Sequence, residues 1–204
     1  MASASDTTSF LTIPDADVTW ISPRPKLPLA IVDYNPAWPS LYQAIESLIR
    51  ASLSSETILH IQHVGSTSVP GLPAKDIIDI DLVVADPSRE ETYVQALENA
   101  GFRFILREPK WYEHRLFHLD GAPHHANLHV FGPSSPEVVR HRLFRDWLRE
   151  HPEDCARYVD AKRGAAEQTV AEGGNMQQYT DRKDPVVRDI LNRIFKAEGL
   201  LPDE

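Results

Sequence analysis

From Ile78 to Leu82 the chain alternates, with Ile78, Ile80, Leu82 and, beyond them, Val84 on one parity and Asp79 and Asp81 on the other. Successive side chains of a strand point to opposite faces, so this segment predicts a strand with one face in a core and one open. Thr57 to Val64 reads as a second strand that runs into a Gly65-Ser66 turn, and Leu29 to Tyr34 as an earlier one. Phe102 to Arg107 continues the set, and Glu113 to Leu119 with His125 to Phe131 reads as an antiparallel pair joined by the Asp120-Gly-Ala-Pro turn. In the last of these strands Ala126, Leu128 and Val130 form the apolar parity, which leaves Asn127 and His129 on the other.

Helical spacing takes over elsewhere. Trp38, Leu41, Tyr42, Ile45, Leu48 and Ile49 recur every three or four residues, predicting a helix from Asn35-Pro36 to about Leu53. Ser88 with Glu91 reads as a capping box opening a helix that stops at Gly101. After Phe131 three prolines mark helix starts, at Ser135-Pro136, His151-Pro152 and Asp184-Pro185. Pro14, Pro23, Pro25 and Pro28 forbid a continuous helix before Leu29. That predicts a loosely ordered arm over residues 1–28 with one short strand near Val18 to Ile21, an α/β core over 29–134, and a C-terminal helical region over 135–204 packed on it. The class is α+β, a mixed sheet with helices on one face.

Composition narrows the setting. A hydrophobic share of 42% over 204 residues is ample for a core, and no apolar run reaches the eighteen or so residues of a membrane span. The net charge of −9 speaks against binding duplex nucleic acid, which calls for a basic footprint. The start of the chain lacks the basic and apolar regions of an export signal, and the lone Cys155 has no partner for a disulfide. Both fit a cytoplasmic protein, and on a helix without an evident histidine partner that thiol is expected to be inert.

One stretch carries chemistry. Asp79 and Asp81, two positions apart on a strand, share a face and stand close enough to bind a divalent ion such as Mg²⁺. Gly65 permits close backbone approach, the Ser66 and Thr67 amides and hydroxyls can donate to phosphate oxygens, and Lys75 adds a positive charge just before the acids. Singly, each has a plainer reading as a solvated strand face, a turn residue or a surface charge; their value lies in occurring together.

Gly-Ser after a strand followed by an Asp-x-Asp strand is similar to the signature of the nucleotidyltransferase fold of DNA polymerase β relatives, and the fuller run GSTSVPGLPAKDIIDI resembles the GrpB family. Later blocks, HHANLHVF, LFRDWLREHPEDCARYVDAKRGAAE and QQYTDRKDPVVRDIL, extend that resemblance over roughly Ile31 to Ala197. It implies a nucleotidyltransferase-like mixed sheet and a metal-dependent enzyme using Mg²⁺ or Mn²⁺ with ATP or another nucleoside triphosphate and a small-molecule acceptor. It places basic residues at Arg115, Arg145, Arg149, Lys162 and Lys183, of which Arg115, Arg145 and Lys183 are the expected phosphate contacts. Many such enzymes add a third carboxylate from a neighbouring strand. The matching strand here offers only Asn127 and His129, so His129 is the candidate third metal ligand or general base, and the change leaves open a single bound metal, a preference for Mn²⁺ over Mg²⁺, or lost catalysis.

The family domain also occurs fused to bacterial dephospho-coenzyme A kinases, which keeps open a second function as a nucleotide- or phosphometabolite-binding module without turnover. A third rests on His114, His118, His124, His125 and His129, gathered in one hairpin where they could hold zinc. Trp111 and Tyr112 are expected either to stack on a base or to pack. The acceptor, the preferred nucleotide and the oligomeric state stay open.

Overall fold

The computed structural model describes residues 2–23, 25–121 and 125–202. Among them β1 (Thr19–Trp20), β2 (His60–Val64), β3 (Ile77–Val83), β4 (Phe102–Glu108), β5 (His114–Leu119) and β6 (His125–Phe131) form one sheet in the order β1-β4-β5-β6-β3-β2. The pairing of β3 with β6 is parallel and the other four are antiparallel, so the sheet is mixed. His124, with the apex of the expected Asp120-Gly-Ala-Pro turn, lies outside the described residues.

Six α-helices occupy the described residues: α1 (Ala4–Thr8), α2 (Trp38–Ser52), α3 (Val94–Asn99), α4 (Pro136–Glu150), α5 (Pro152–Ala171) and α6 (Met176–Ala197). None is long and apolar enough to cross a membrane. The apolar parity of the sheet, Ile78, Ile80, Leu82, Leu128, Val130 and Phe117, buries against Trp38, Ile45 and Ile49 of α2 and Leu97 of α3. A second core joins Leu143 and Leu148 of α4, Tyr158 of α5 and Ile190, Ile194 and Phe195 of α6 to Val69 and Leu72, which follow the Gly65 bend. The polar sheet face is therefore roofed by the C-terminal helices, and Asp81 is 0% exposed. The expectation of an open face is corrected: alternation reports which parity is polar, while a later helix decides whether it meets water.

Four local expectations shift. Leu29–Tyr34 is not a strand; only Val32 bridges, to Ala74, while Leu29 and Ile31 pack against Ala165, Ala166 and Tyr179. Ser88 caps no helix, because the Asp86 carboxylate accepts from its N–H at 2.9 Å and its hydroxyl at 2.6 Å, and the helix waits until Val94. Asp184-Pro185 starts nothing: Asn175 caps α6 upstream, and Pro185 sits inside it. An internal proline costs about 3 kcal/mol, a cost offset by burial of Tyr179 before it and of Ile190, Ile194 and Phe195 after it.

The N-terminal segment, expected as a loose arm, is docked. Ser3 and Asp6 make a capping box for α1. The buried Arg140 of α4 donates through Nε to the Thr7 carbonyl at 2.8 Å and through Nη2 to that of Asp6 at 2.7 Å, and it also reaches the Ser9 carbonyl and the Glu137 carboxylate. Its guanidinium and that of Arg188 flank the Phe10 ring at 5.0 and 4.7 Å. Hydrogen bonds from a charged donor contribute about 1.5–3 kcal/mol each, so Arg140→Met is expected to release this segment. Limited proteolysis before residue 28 should speed up by about tenfold or more with the helical content otherwise retained; an unchanged rate would show that apolar packing alone holds it.

Candidate functional site

β2 ends in a bend built for close approach. Gly65 has φ +67°, and a Cβ placed there would stand 2.6 Å from Asp79 Oδ2 and 3.0 Å from Asp79 Cβ. Any side chain would collide with the acid and strain the backbone. Asp79 thus lies directly against the Gly-Ser turn, its Oδ1 accepting from Asn127 Nδ2 at 2.8 Å across the β3–β6 pair. Gly65, Ser66, Thr67, Lys75, Asp79, His129, Arg145 and Lys183 all line one cavity of about 710 Å³. The Thr67 hydroxyl is spent otherwise: it is buried, donates to the Ile77 carbonyl at 3.2 Å and accepts from His63 Nε2 at 3.0 Å.

Asp81 differs from Asp79. Both its oxygens lie 3.0 Å from Nδ1 of His141 on α4, and Oδ2 also accepts from Gln62 Nε2 at 3.1 Å. Burial alone would depress His141, but the Asp81 charge and hydrogen bond, aided by Glu137 and Asp79, carry it up to about 9. His141 is therefore an imidazolium at neutral pH, capping a carboxylate that would otherwise be buried and uncompensated. The two acids were expected as an equal, open pair. Asp79 presents Oδ2 beside the bend and fits a hard cation; Asp81 offers an oxygen only if His141 moves aside.

His129 faces Asp81 in the β3–β6 register. Its Nδ1 is 3.0 Å from His114 Nε2, and His114 Nδ1 is 2.6 Å from Glu108 Oε2. Where His114 Nε2 accepts from His129 Nδ1, the His129 lone pair sits on Nε2; where a protonated His114 donates instead, it sits on Nδ1. Burial, reinforced by His114, pushes His129 down to about 4, which leaves a neutral imidazole able to act as ligand or base.

The opposite wall is basic. Lys162 on α5 is buried, donates to the Pro73 carbonyl at 2.7 Å and sits 5.2 Å from the Tyr158 ring, whose hydroxyl is 3.3 Å from Ser66 Oγ. Lys75 and Lys183 stand 5.3 and 5.8 Å from the Tyr179 ring. Burial, then the Lys183 and Lys75 charges, pushes Lys162 down to about 7. On a chain of net charge −9 this is a local cationic wall.

Arg115 is not part of it. It lies opposite Val130, on the apolar parity, where it is buried and paired with Glu90 and Glu113 at 3.0 Å. Parity along β5 carried that information. Arg145 lines the cavity, but its Nη1 donates to the His63 carbonyl at 2.9 Å while Arg149 holds the Ser68 carbonyl at 2.6 Å, so both fasten the bend. Trp111 packs edge-on against His114 and Phe131 and donates to the Leu11 carbonyl at 3.2 Å, and the Tyr112 ring faces Arg140. Glu137 and His141 escaped the sequence reading, and Lys162 was not among its expected phosphate contacts. Glu137, His141 and Arg145 recur every fourth residue of α4, a polar stripe visible in the sequence but unassignable without the strand beneath it.

The sequence profile described as GrpB protein matches residues 28–193. A UPF0157 protein of Halalkalibacterium halodurans is 43% identical over 165 residues, covering 81% of this chain and 82% of that one. One from Streptomyces coelicolor is 36% identical over 185 residues, covering 90% and 94%. A dephospho-CoA kinase of Mycolicibacterium paratuberculosis is 29% identical over 197 residues, but only 47% of its length is covered. The crystal structure of GrpB from Enterococcus faecalis superposes with a TM-score of 0.71 at 25% identity, over 83% of this chain and 99% of that one. By its sequence and its fold, this chain belongs to the GrpB family.

Proposed function

We propose that the cleft is the site of a nucleotidyltransferase-like enzyme that binds a nucleoside triphosphate with Mg²⁺ or Mn²⁺ and transfers its nucleotidyl group to a small-molecule acceptor. The observation that carries this reading is the placement of the Gly65 bend, Asp79 and the lysine wall around one cavity. Asp79, with Asp81 once His141 swings away, would hold the ion, which leaves His129 free to act as the base. When bound, that ion supplies charge stabilisation to the phosphoryl oxygens. Lys75, Lys162 and Lys183 balance the triphosphate charge, and the Ser66 hydroxyl with the first amides of the bend orients it. The acceptor's O or N forms a bond to the α-phosphorus as the bond to pyrophosphate breaks, and the acceptor's proton passes to the neutral ring of His129. No membrane or nucleic-acid partner is invoked.

A second reading is favoured by Asp81 and Asn127. An acid already neutralised by His141, and an amide where many nucleotidyltransferases carry a third acid, suit a module that binds nucleotide or phosphometabolite without turnover. The relatives named dephospho-CoA kinase, about half of whose length this chain spans, fit such an auxiliary role.

Calorimetry with ATP and Mg²⁺ or Mn²⁺ tests both. Wild type is expected to bind, and Asp79→Ala to weaken binding by about tenfold or more; no binding under either metal removes the enzyme reading and leaves of the second only a phosphometabolite module. Release of pyrophosphate with a pool of metabolites distinguishes enzyme from binder.

Lys162 adds a second test. Phosphate oxygens favour the ammonium and raise its pKa from about 7. Nucleotide binding at pH 8 is thus expected to take up as much as about one proton, read from calorimetry in buffers of differing ionisation enthalpy. Lys162→Met should abolish the uptake, and uptake that persists in it would show that Lys162 does not meet the phosphates.

A further inference from the structure

On the same sheet face, beyond Asn127, three side chains from the β5–β6 hairpin converge: His118, Asp120 and His125. His118 Nε2 lies 3.3 Å from Asp120 Oδ1 and 3.4 Å from His125 Nδ1, and those last two atoms are 3.9 Å apart. The hydrogen bonds around them determine which atoms carry lone pairs. Asp79 accepts from Asn127 Nδ2, so it is the amide oxygen that meets His118 Nδ1, at 2.9 Å. An amide oxygen only accepts, so His118 is protonated on Nδ1 and its lone pair sits on Nε2, aimed at the other two groups. Asp120 is oriented in the same way: Arg103 donates to Oδ2 at 2.7 Å, leaving Oδ1 turned toward the imidazoles.

His118 Nε2 and Asp120 Oδ1 are both acceptors and stand 3.3 Å apart, an approach that repels unless a cation stands between them. A proton on His125 Nδ1 would reconcile it with His118 or with Asp120, but not satisfy all three approaches together. We infer that this hairpin binds one Zn²⁺ through His118 Nε2, His125 Nδ1 and Asp120 Oδ1. Zinc–nitrogen bonds of about 2.0–2.1 Å give a tetrahedron with edges of about 3.3 Å, and two of the three separations match that edge within 0.1 Å. Two imidazoles and one carboxylate select a borderline transition ion over Mg²⁺ or Ca²⁺. Each of the two ligands His118 and Asp120 also has the outer partner that such sites use to fix ligand orientation, Asn127 and Arg103.

His118 is 2% exposed, while the side chains of His125 and Asp120 are 34% and 52% exposed. The fourth position is therefore open to water, and the site is rigid on one side and accessible on the other. Through His118 and Asn127 the ion would be joined to Asp79 by two hydrogen bonds, so its presence would fix the rotamer of an acid in the cleft. The assignment does not depend on the nucleotide reading, since the ligands lie on the far side of Asn127 from the Gly65 bend.

The test is metal analysis of the full chain dialysed against micromolar Zn²⁺, with Co²⁺ substitution read in the visible spectrum. One equivalent of Zn²⁺ and the intense absorption of tetrahedral Co²⁺ are expected for wild type. His125→Ala, at a half-buried position, and Asp120→Asn, at an exposed one, should each bind Zn²⁺ about a hundredfold more weakly or worse. A wild-type protein that takes up no Zn²⁺, or either variant binding it at unchanged affinity, overturns the inference.

Discussion

The parallel pairing of β3 with β6 is the constraint from which the site follows. Its register sets Asp79 opposite Asn127 and Asp81 opposite His129. Because side chains alternate across a sheet, one shared parity collects Asp79, Asp81, Asn127 and His129, and the other collects Ile78, Ile80, Leu128 and Val130. A slip of one residue would exchange the two sets, placing carboxylates in the apolar core, at a cost no neighbour there could offset. The apolar parity thus locks the register, and the register composes the polar face. Arg115 shows the rule from the other side: on the apolar parity of β5, it stays buried only because Glu90 and Glu113 neutralise it.

The polar face is organised by charge compensation. Asp81, with no exposed surface, is matched by His141, raised to about 9, while His129 on the facing strand is held neutral. Across the cavity three lysines crowd together, and burial already drives Lys162 towards its neutral form. The charges of Lys183 and Lys75 add to the effect of burial there. Backbone and cation act together there, since Arg145 and Arg149 grip the carbonyls of His63 and Ser68 on either side of the bend. Glycine at 65 is required both by φ +67° and by the carboxylate packed against it.

The roof is supplied by elements remote in sequence. α4 brings Glu137, His141 and Arg145 over the sheet and, on its buried side, Arg140 fastens residues 6–9. Phe10 to Ile13 consequently line the cavity, although they lie outside residues 28–193 matched by the family. The cleft therefore combines a family scaffold with a segment the family profile does not cover, and the docked segment narrows what can enter.

Periodicity was enough for the aspartate strand and the hairpin, and Ser135-Pro136 and His151-Pro152 for the first two C-terminal helices, because alternation and helix-start signals are local properties written directly in side-chain order. The GSTS turn and the acids were legible as chemistry for the same reason: their spacing already places them on one strand face and at its neighbouring bend. The start of α6 was legible but missed: Asn175 with Gln178 three residues on is a capping box, while the sequence order could not show that the helix would run on through Pro185. The partner of Asp81 was not legible. Sixty residues separate it from His141, and only the docking of α4 on the sheet decides that one acid is sealed by an imidazolium while the other meets the cleft. Sequence order, then, determined which residues could share a face, and the packing of helices onto that face decided which of them meet, which are buried, and what charge each carries.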